Sequence, residues 1–174
     1  RLIGFADNDR PGIMQAGAVR GYVNRFAAAV AEHVAVFTNN DDGHRTATDL
    51  AAAGVDVAAI IDSRPDAPKS EVAEVFAGAV VTGTGGRLGI GHVDIRLAGG
   101  GRKHVQCGAL AVSGGWNPNV HLTCHHRGRP AWQDDICAFV PGEGVPPGMA
   151  VAGAARGIFS TAGTIGDGQA KAIA

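Results

Sequence analysis

The sequence predicts an α/β fold in which a parallel unit is followed by an antiparallel meander. Three observations carry that prediction. Short apolar runs alternate with helical stretches as far as Asp62. Beyond Gly78 the apolar pattern changes from helical to strand period. Glycine makes up 27 of 174 residues, against roughly 7% in average usage, and most of the glycines stand singly between apolar runs, as tight turns require. No Gly-X-Y period accompanies them, which excludes collagen. With 45% hydrophobic and 18% charged residues, a sizeable core is available and disorder is excluded.

Residues 1–30 read as a loop and then a helix. Asp7-Asn8-Asp9-Arg10-Pro11-Gly12 is turn chemistry. Met14, Ala18, Tyr22 and Phe26 recur every four residues and predict one core-facing helical stripe. His33 to Thr38 is a run of strand formers. Polar residues 39–43 follow, then a helix over 44–53, with Gly54 suited to the left-handed position that closes a helix. A second strand over 55–61 ends at Asp62. Two prolines make 64–68 a loop, and Ser70 is placed to cap a short helix running to Ala77. Residues 79–84 then predict a strand. Val93, Ile95 and Leu97 alternate with His92, Asp94 and Arg96, which marks a half-buried strand. Glycine turns at 85–86 and 99–101 lead to a returning strand over 103–107 and another over 109–112. Residues 114–148 show little periodicity. Residues 149–152 predict a last strand, 153–157 a turn of small residues, and 158 onward a helix.

The net charge is −1, and no basic stripe or run points to nucleic acid or to a lipid surface. No apolar run approaches the ~20 residues of a membrane span, and no signal peptide opens the chain. It begins at Arg1 rather than Met, which suggests an excised fragment. Three cysteines at irregular spacing predict a reducing, cytoplasmic setting.

Two places hold groups that could carry chemistry. The strand–loop–helix around residues 38–44 stands where a dinucleotide fold places its phosphate loop. Asp62 follows Asn39 by 23 residues, close to the ~20-residue offset at which an acid bonds the adenosine ribose. That acid favours NAD over NADP, although Arg64 could meet a 2′-phosphate. Only Gly43 remains of Gly-x-Gly-x-x-Gly. Cβ atoms at Asn39 and Asp41 would obstruct a pyrophosphate, and Asp41 and Asp42 oppose its charge. The alternative is that Asp41 or Asp42 simply caps the helix. The second group is His121, Cys124, His125, His126 and Cys137, zinc-type ligands without a second Cys-x-x-Cys. Its spacing does not assign a metal. No nucleophile elbow, Walker loop or His-Glu-x-x-His is present. Ser160 and Thr161 read as helix caps, and no residue is assigned a catalytic role.

The motifs together resemble the alpha-subunit family of heterotetrameric sarcosine oxidases. The resemblance rests on Asp7-Asn8-Asp9-Arg10-Pro11-Gly12, Phe37-Thr38-Asn39-Asn40-Asp41, Val112-Ser113-Gly114-Gly115-Trp116-Asn117-Pro118 and Ala152-Gly153-Ala154-Ala155 through Phe159-Ser160, in that order. It is weakest over 119–148, and Cys124-His125-His126 is not one of its features. Opine and amino-acid oxidase subunits share parts of the pattern.

The resemblance implies a Rossmann-like fold with two dinucleotide domains. An NAD-type domain over 31–112, a βαβ unit plus antiparallel meander, is inserted in a truncated FAD-type domain made of 1–30 and 113–174. It implies a parent flavoprotein complex that demethylates sarcosine to glycine, gives hydrogen peroxide and passes the one-carbon unit to tetrahydrofolate. The partners implied are the beta, gamma and delta subunits and the rest of alpha. FAD, FMN and tetrahydrofolate belong to the parent complex and not to this chain, whereas NAD is carried by alpha. The residues implied for NAD are Gly153, Ala154, Ala155, Arg156, Gly157 and Phe159, with Asp62 for the ribose. Ala154 stands where related flavin reductases carry an aspartate for the flavin ribityl chain, and it cannot accept that bond. The chain is therefore expected to be inactive alone. The alternative is a subunit-docking domain whose nucleotide site has decayed.

Overall fold

The apolar runs at 33–38, 56–62 and 109–113 become strands that are buried on both faces. The computed structural model describes residue 1 and residues 3–173. In chain order the first 115 residues form β1 (Ile13–Gln15), α1 (Ala16–Phe26), β2 (His33–Thr38), α2 (Asp41–Ala52), β3 (Asp56–Asp62), β4 (Val75–Ala77), β5 (Val80–Gly85), β6 (His92–Arg96), β7 (Arg102–Gln106) and β8 (Ala109–Ser113). One sheet has the order β1-β8-β2-β3-β4, and every pair in it is parallel. The second sheet is the antiparallel meander β5-β6-β7.

The strand period distributes the core. Val34 and Val36 of β2, with Ala109 and Ala111 of β8, pack against Ala16 and Val19 of α1 and Ala47 and Leu50 of α2. Their neighbours Ala35, Phe37, Leu110 and Val112 face Val81, Val93, Ile95 and Val105 of the meander. The parallel sheet is thus covered on both sides, which is why its strands read as continuous apolar runs. On β3 the alternation slips by one residue. Val34 pairs with Val57 but Ala35 with Ala59, leaving Ala58 as a bulge. Val57 and Ile60 consequently share the helix side while Ala59 and Ile61 share the meander side.

Several expectations are corrected. Met14 belongs to β1, so the helix begins at Ala16 and its phase is set by Ala16 and Val19. Tyr22 and Phe26, expected in the core, are 47% and 71% exposed and stack on each other at 6.2 Å. The expected helix over 70–77 is absent. Ser70 Oγ accepts only a local bond from Val72 N–H (3.3 Å), and Val75–Ala77 instead pairs with β3 as an edge strand. The helix after β2 begins three residues early, at Asp41, because Asn40 caps it. Gly54 takes the left-handed conformation expected of it (φ +81°).

The chain divides into two compact units, Arg1–Gly115 and Trp116–Ala174. The second holds the hairpin β9 (Pro130–Gln133) and β10 (Ala138–Pro141), pinned by an edge-on Trp132–Phe139 pair at 5.1 Å. Two 3₁₀ turns separated by a kink at His125 and His126 cover His121–Arg127, and single 3₁₀ segments cover Asp134–Ile136 and Gly153–Arg156. The terminal helix α3 (Thr161–Ile173) starts later than expected because Ser160 caps it, its Oγ accepting from Gly163 N–H (3.2 Å). Residues 149–152, expected as a strand, pair with no other strand among the described residues. Residues 1–30 contribute β1 to the sheet that holds β2, β3 and β8, and α1 packs Ala16 and Val19 against it. Among the described residues no helix is long and apolar enough to cross a membrane.

Candidate functional site

In a parallel sheet the ligand edge lies at the carboxyl ends of the strands. Here that edge is made by Thr38 of β2, Asp62 of β3, Ser113 of β8 and the first turn of α2. Counting back from Gly43 puts Thr38 and Asn40, rather than Asn39 and Asp41, at the first two glycine positions of the dinucleotide fingerprint. Gly43 keeps the third role, close helix–strand packing. A Cβ there would lie 2.2 Å from Thr38 Oγ1 and 2.4 Å from Thr38 Cβ.

The other two positions are closed by side chains. Thr38 Oγ1 donates to Asn40 O (2.9 Å) and accepts from Asn40 N–H (3.1 Å). Asn40 Oδ1 accepts from Asp42 N–H (3.0 Å) and from Ser113 Oγ (3.2 Å). Asn40 Nδ2 donates to Ser113 O (2.9 Å). The N–H of Asp42, one of those a phosphate would use, is thus capped from within. The two acids at the helix start are paired, Asp41 with Arg64 (2.8 Å) and Asp42 with Arg20 (3.1 Å). They complement the helix dipole where an anion would otherwise stand, and the cap itself is Asn40.

Asp62 is fully buried. Its carboxylate accepts from Arg64 N–H (2.9 Å), Arg64 Nη2 (2.8 Å) and Arg64 Nε (3.2 Å), and it contacts His44 Nε2 at 2.8 Å. Burial pushes the carboxyl up, but the Arg64 and His44 hydrogen bonds outweigh it and hold Asp62 below the usual carboxylate range. The guanidinium of Arg64 is correspondingly held more basic, chiefly by Asp62. Both ribose-recognising candidates, Asp62 and Arg64, are therefore spent on each other.

The second candidate is the turn ahead of α3. Gly153 has φ +63°, and a Cβ there would lie 2.5 Å from Thr164 Cγ2. Gly153 N–H donates to Asp167 Oδ2 (2.7 Å), and Arg156 Nη1 donates to Asp167 Oδ1 (2.6 Å). Gly157 has φ +86° and Gly157 N–H donates to Ala154 O (3.1 Å). The turn thus already holds a carboxylate, its own. Ala155 and Phe159 flank these donors, and Phe159 is 39% exposed.

The zinc-type group of 121–137 forms no metal-like cluster among the described residues. Cys124 and Cys137 are exposed, each with its thiol turned to a local carbonyl. The grouping that does occur among the described residues is His92, Asp94 and His104 on the meander. The alternation of β6 puts His92 and Asp94 on one face, which the sequence pattern contains. That His104 faces Asp94 depends on the β6–β7 register, which it does not.

No family model matches the chain. A sarcosine oxidase subunit alpha of Rhizobium meliloti (strain 1021) is 42% identical over 176 residues, spanning all of this chain and 18% of that protein. The same subunit from Corynebacterium sp. (strain U-96) is 38% identical over 183 residues, spanning 98% of this chain and 19% of that protein. Along its whole length the chain is similar to a segment of these sarcosine oxidase alpha subunits. It spans less than a fifth of the length of these relatives.

Solved structures show the fold of this chain to be that of dinucleotide-type oxidoreductases. T. acidophilum thioredoxin reductase superposes with TM-score 0.63 at 13% identity, over 99% of this chain and 60% of that one. L-proline dehydrogenase from P. horikoshii superposes with TM-score 0.60 at 19% identity, over 87% and 27%. Within that fold, a pyrophosphate does not fit the loop after β2 in this chain. The Asn40 side chain fills its approach, and the acids of α2 repel its charge.

Proposed function

We propose that the chain is a dinucleotide-fold piece of a sarcosine oxidase alpha subunit that supplies no catalytic group of its own. The observation that carries this reading is the 42% identity to such a subunit along the whole chain. On it, the parent enzyme oxidatively demethylates sarcosine to glycine with release of peroxide and transfer of the one-carbon unit to tetrahydrofolate. Alpha works there with beta, gamma and delta subunits in the cytoplasm, and FAD, FMN and tetrahydrofolate are held outside this chain. The domain division proposed with it is an NAD-type domain over 31–112 inserted in a FAD-type domain made of 1–30 and 113–174.

NAD in the whole subunit contacts the turn of Gly153, Ala154, Ala155, Arg156, Gly157 and Phe159 and leaves the loop at residues 39–43 empty. What favours the turn is the exposure of its ion pair. Arg156 is 41% exposed on the side chain, so an incoming phosphate can take it from Asp167 at little cost. Asp62 offers no such exchange, being fully buried. The resident group would supply a bound dinucleotide and no step of turnover. The test is nucleotide released from purified full-length subunit. Arg156→Ala is expected to lower NAD retention at least tenfold while Asp62→Asn, if folded, leaves it unchanged. NAD lost with Asp62→Asn and retained with Arg156→Ala would reverse the assignment. Peroxide made from sarcosine by the 174-residue chain with added FMN or FAD would overturn the absence of a catalytic group.

The docking-domain reading is favoured by a separate observation, the internally satisfied loop at Asn40. A full-length subunit that carries no nucleotide and still assembles with its partners would select it.

A further inference from the structure

We propose that the outer face of the meander is a zinc-type cation site, with His92, Asp94 and His104 as its protein ligands. His92 and Asp94 are two positions apart on β6 and so share a face. Val93 and Ile95 between and beyond them are fully buried, which fixes that face as the one turned from the core. In the antiparallel ladder Asp94 stands directly opposite His104 of β7. One donor atom from each residue lies within 4.8 Å of the other two. His104 Nδ1 touches Asp94 Oδ1, and His92 Nε2 is 3.7 Å from the same oxygen. Around a tetrahedral ion with bonds near 2.0–2.1 Å, donors stand roughly 3.4 Å apart. The His92–Asp94 edge is therefore within a few tenths of an ångström of a coordinating one.

Two further observations point to a ligand. Asp94 Oδ1 is buried and makes no hydrogen bond, its approach to His104 Nδ1 being an ion-pair contact only. A cation held between that oxygen and the two imidazoles completes its coordination. The neighbouring strand also keeps the space clear. Gly83 and Gly85 of β5 are the ladder partners of Asp94 and His92. A Cβ on Gly85 would stand 2.3 Å from His92 Cε1 and 2.5 Å from His92 Nε2, so the imidazole can occupy its position only over bare backbone. The Asp94 carbonyl accepts from Thr82 Oγ1 (3.2 Å), which steadies the strand beneath the carboxylate.

Two imidazoles and one carboxylate form a borderline donor set suited to Zn²⁺ and its first-row neighbours, not to Mg²⁺ or Ca²⁺, which prefer all-oxygen ligands. Three protein ligands leave a fourth position for water. The ion ties β6 to β7.

The test is competition titration of metal-stripped full-length subunit with Zn²⁺ and a chromophoric chelator. His104→Gln, on an exposed side chain, is expected to weaken binding by at least the roughly 10- to 100-fold that loss of an outer-shell partner costs. His92→Ala and Asp94→Asn should do the same, and far-ultraviolet circular dichroism checks that each variant folds. Co²⁺ in place of Zn²⁺ should give visible d–d bands without a thiolate charge-transfer band. Combined substitution of His121, Cys124, His125 and His126 by alanine should leave the affinity unchanged. Equal Zn²⁺ affinity in wild type and the folded His104→Gln variant would overturn the proposal. So would a thiolate band that disappears with Cys124→Ala.

Discussion

The loop after β2 and the turn before α3 each close around a carboxylate of the chain itself, and they differ in depth. Asp62 is fully buried and is met by Arg64 and His44. Asp167 keeps 13% of its side-chain surface, and its partner Arg156 keeps 41%. Removing one partner of a buried pair leaves a charge in low dielectric, at a cost of about 3–5 kcal/mol. An exposed pair is worth about 0–1 kcal/mol because water replaces either partner. The first closure is a strut of the fold, and the second is a latch that a ligand anion can lift. The same residue chemistry therefore supports opposite roles, and solvent access decides between them.

The largest test of that contrast is Arg64→Ala, which should lower unfolding free energy by about 3–5 kcal/mol in urea titration of the full-length subunit. A loss under ~1 kcal/mol would put Asp62 in the class of exposed pairs and erase the difference. The pH dependence sharpens the same point. Asp62 is held below its ordinary value of 3.8, so the unfolded chain binds more protons in that range. Its contribution is fully present above the ordinary value and is lost as pH falls through the folded one. Unfolding free energy followed from pH 5 downward should fall in the wild type, with a smaller Asp62 share of that slope in Arg64→Ala.

Asn40→Ala comes next. It removes the cap of α2 and the bridge to Ser113, and should cost about 0.5–2 kcal/mol. NAD retained by the full-length subunit should not change. An increase in NAD affinity, read by calorimetry, would mean that the side chain alone had kept a working phosphate loop shut. The smallest effect is expected from Asp167→Asn, within about 1 kcal/mol in the same unfolding experiment. A loss several times larger would show that the turn is a strut like the loop, and would remove the reason for placing a dinucleotide there.

The elements legible in the sequence are those whose burial leaves a period. The strand at β2 came out at its observed bounds because both its faces are covered, and β6 announced itself by strict alternation. Strands of three residues leave no period to read, and both β1 and β4 are of that kind. Missing β1 also shifted the phase of α1, which moved Tyr22 and Phe26 into an imagined core. At the ligand edge, the 23-residue offset located Asp62 and the surviving glycine located the loop. That the carboxylate is already spoken for was not legible, since His44 reaches it from a helix and Asn40 is fixed by Ser113, 73 positions away. The triad on the meander was half legible, in the pairing of His92 with Asp94, while its third member depends on a cross-strand register.

The bulge at Ala58 changes the parity of β3. Beyond that single surplus residue, Asp62 shares its side with Ile60 and meets His44 on α2, and not the apolar layer under the meander. An insertion between Ala59 and Ile61 would exchange the two sides beyond it, driving a carboxylate among Phe37, Val93 and Ile95 and leaving Arg64 without its partner, whereas deletion of Ala58 would only remove the bulge and keep Asp62 opposite Thr38. An insertion of equal size in the loop between β3 and β4 would change no side-chain address on β3. Tolerance to length change along this segment is thus set by register, not by distance from the ligand edge.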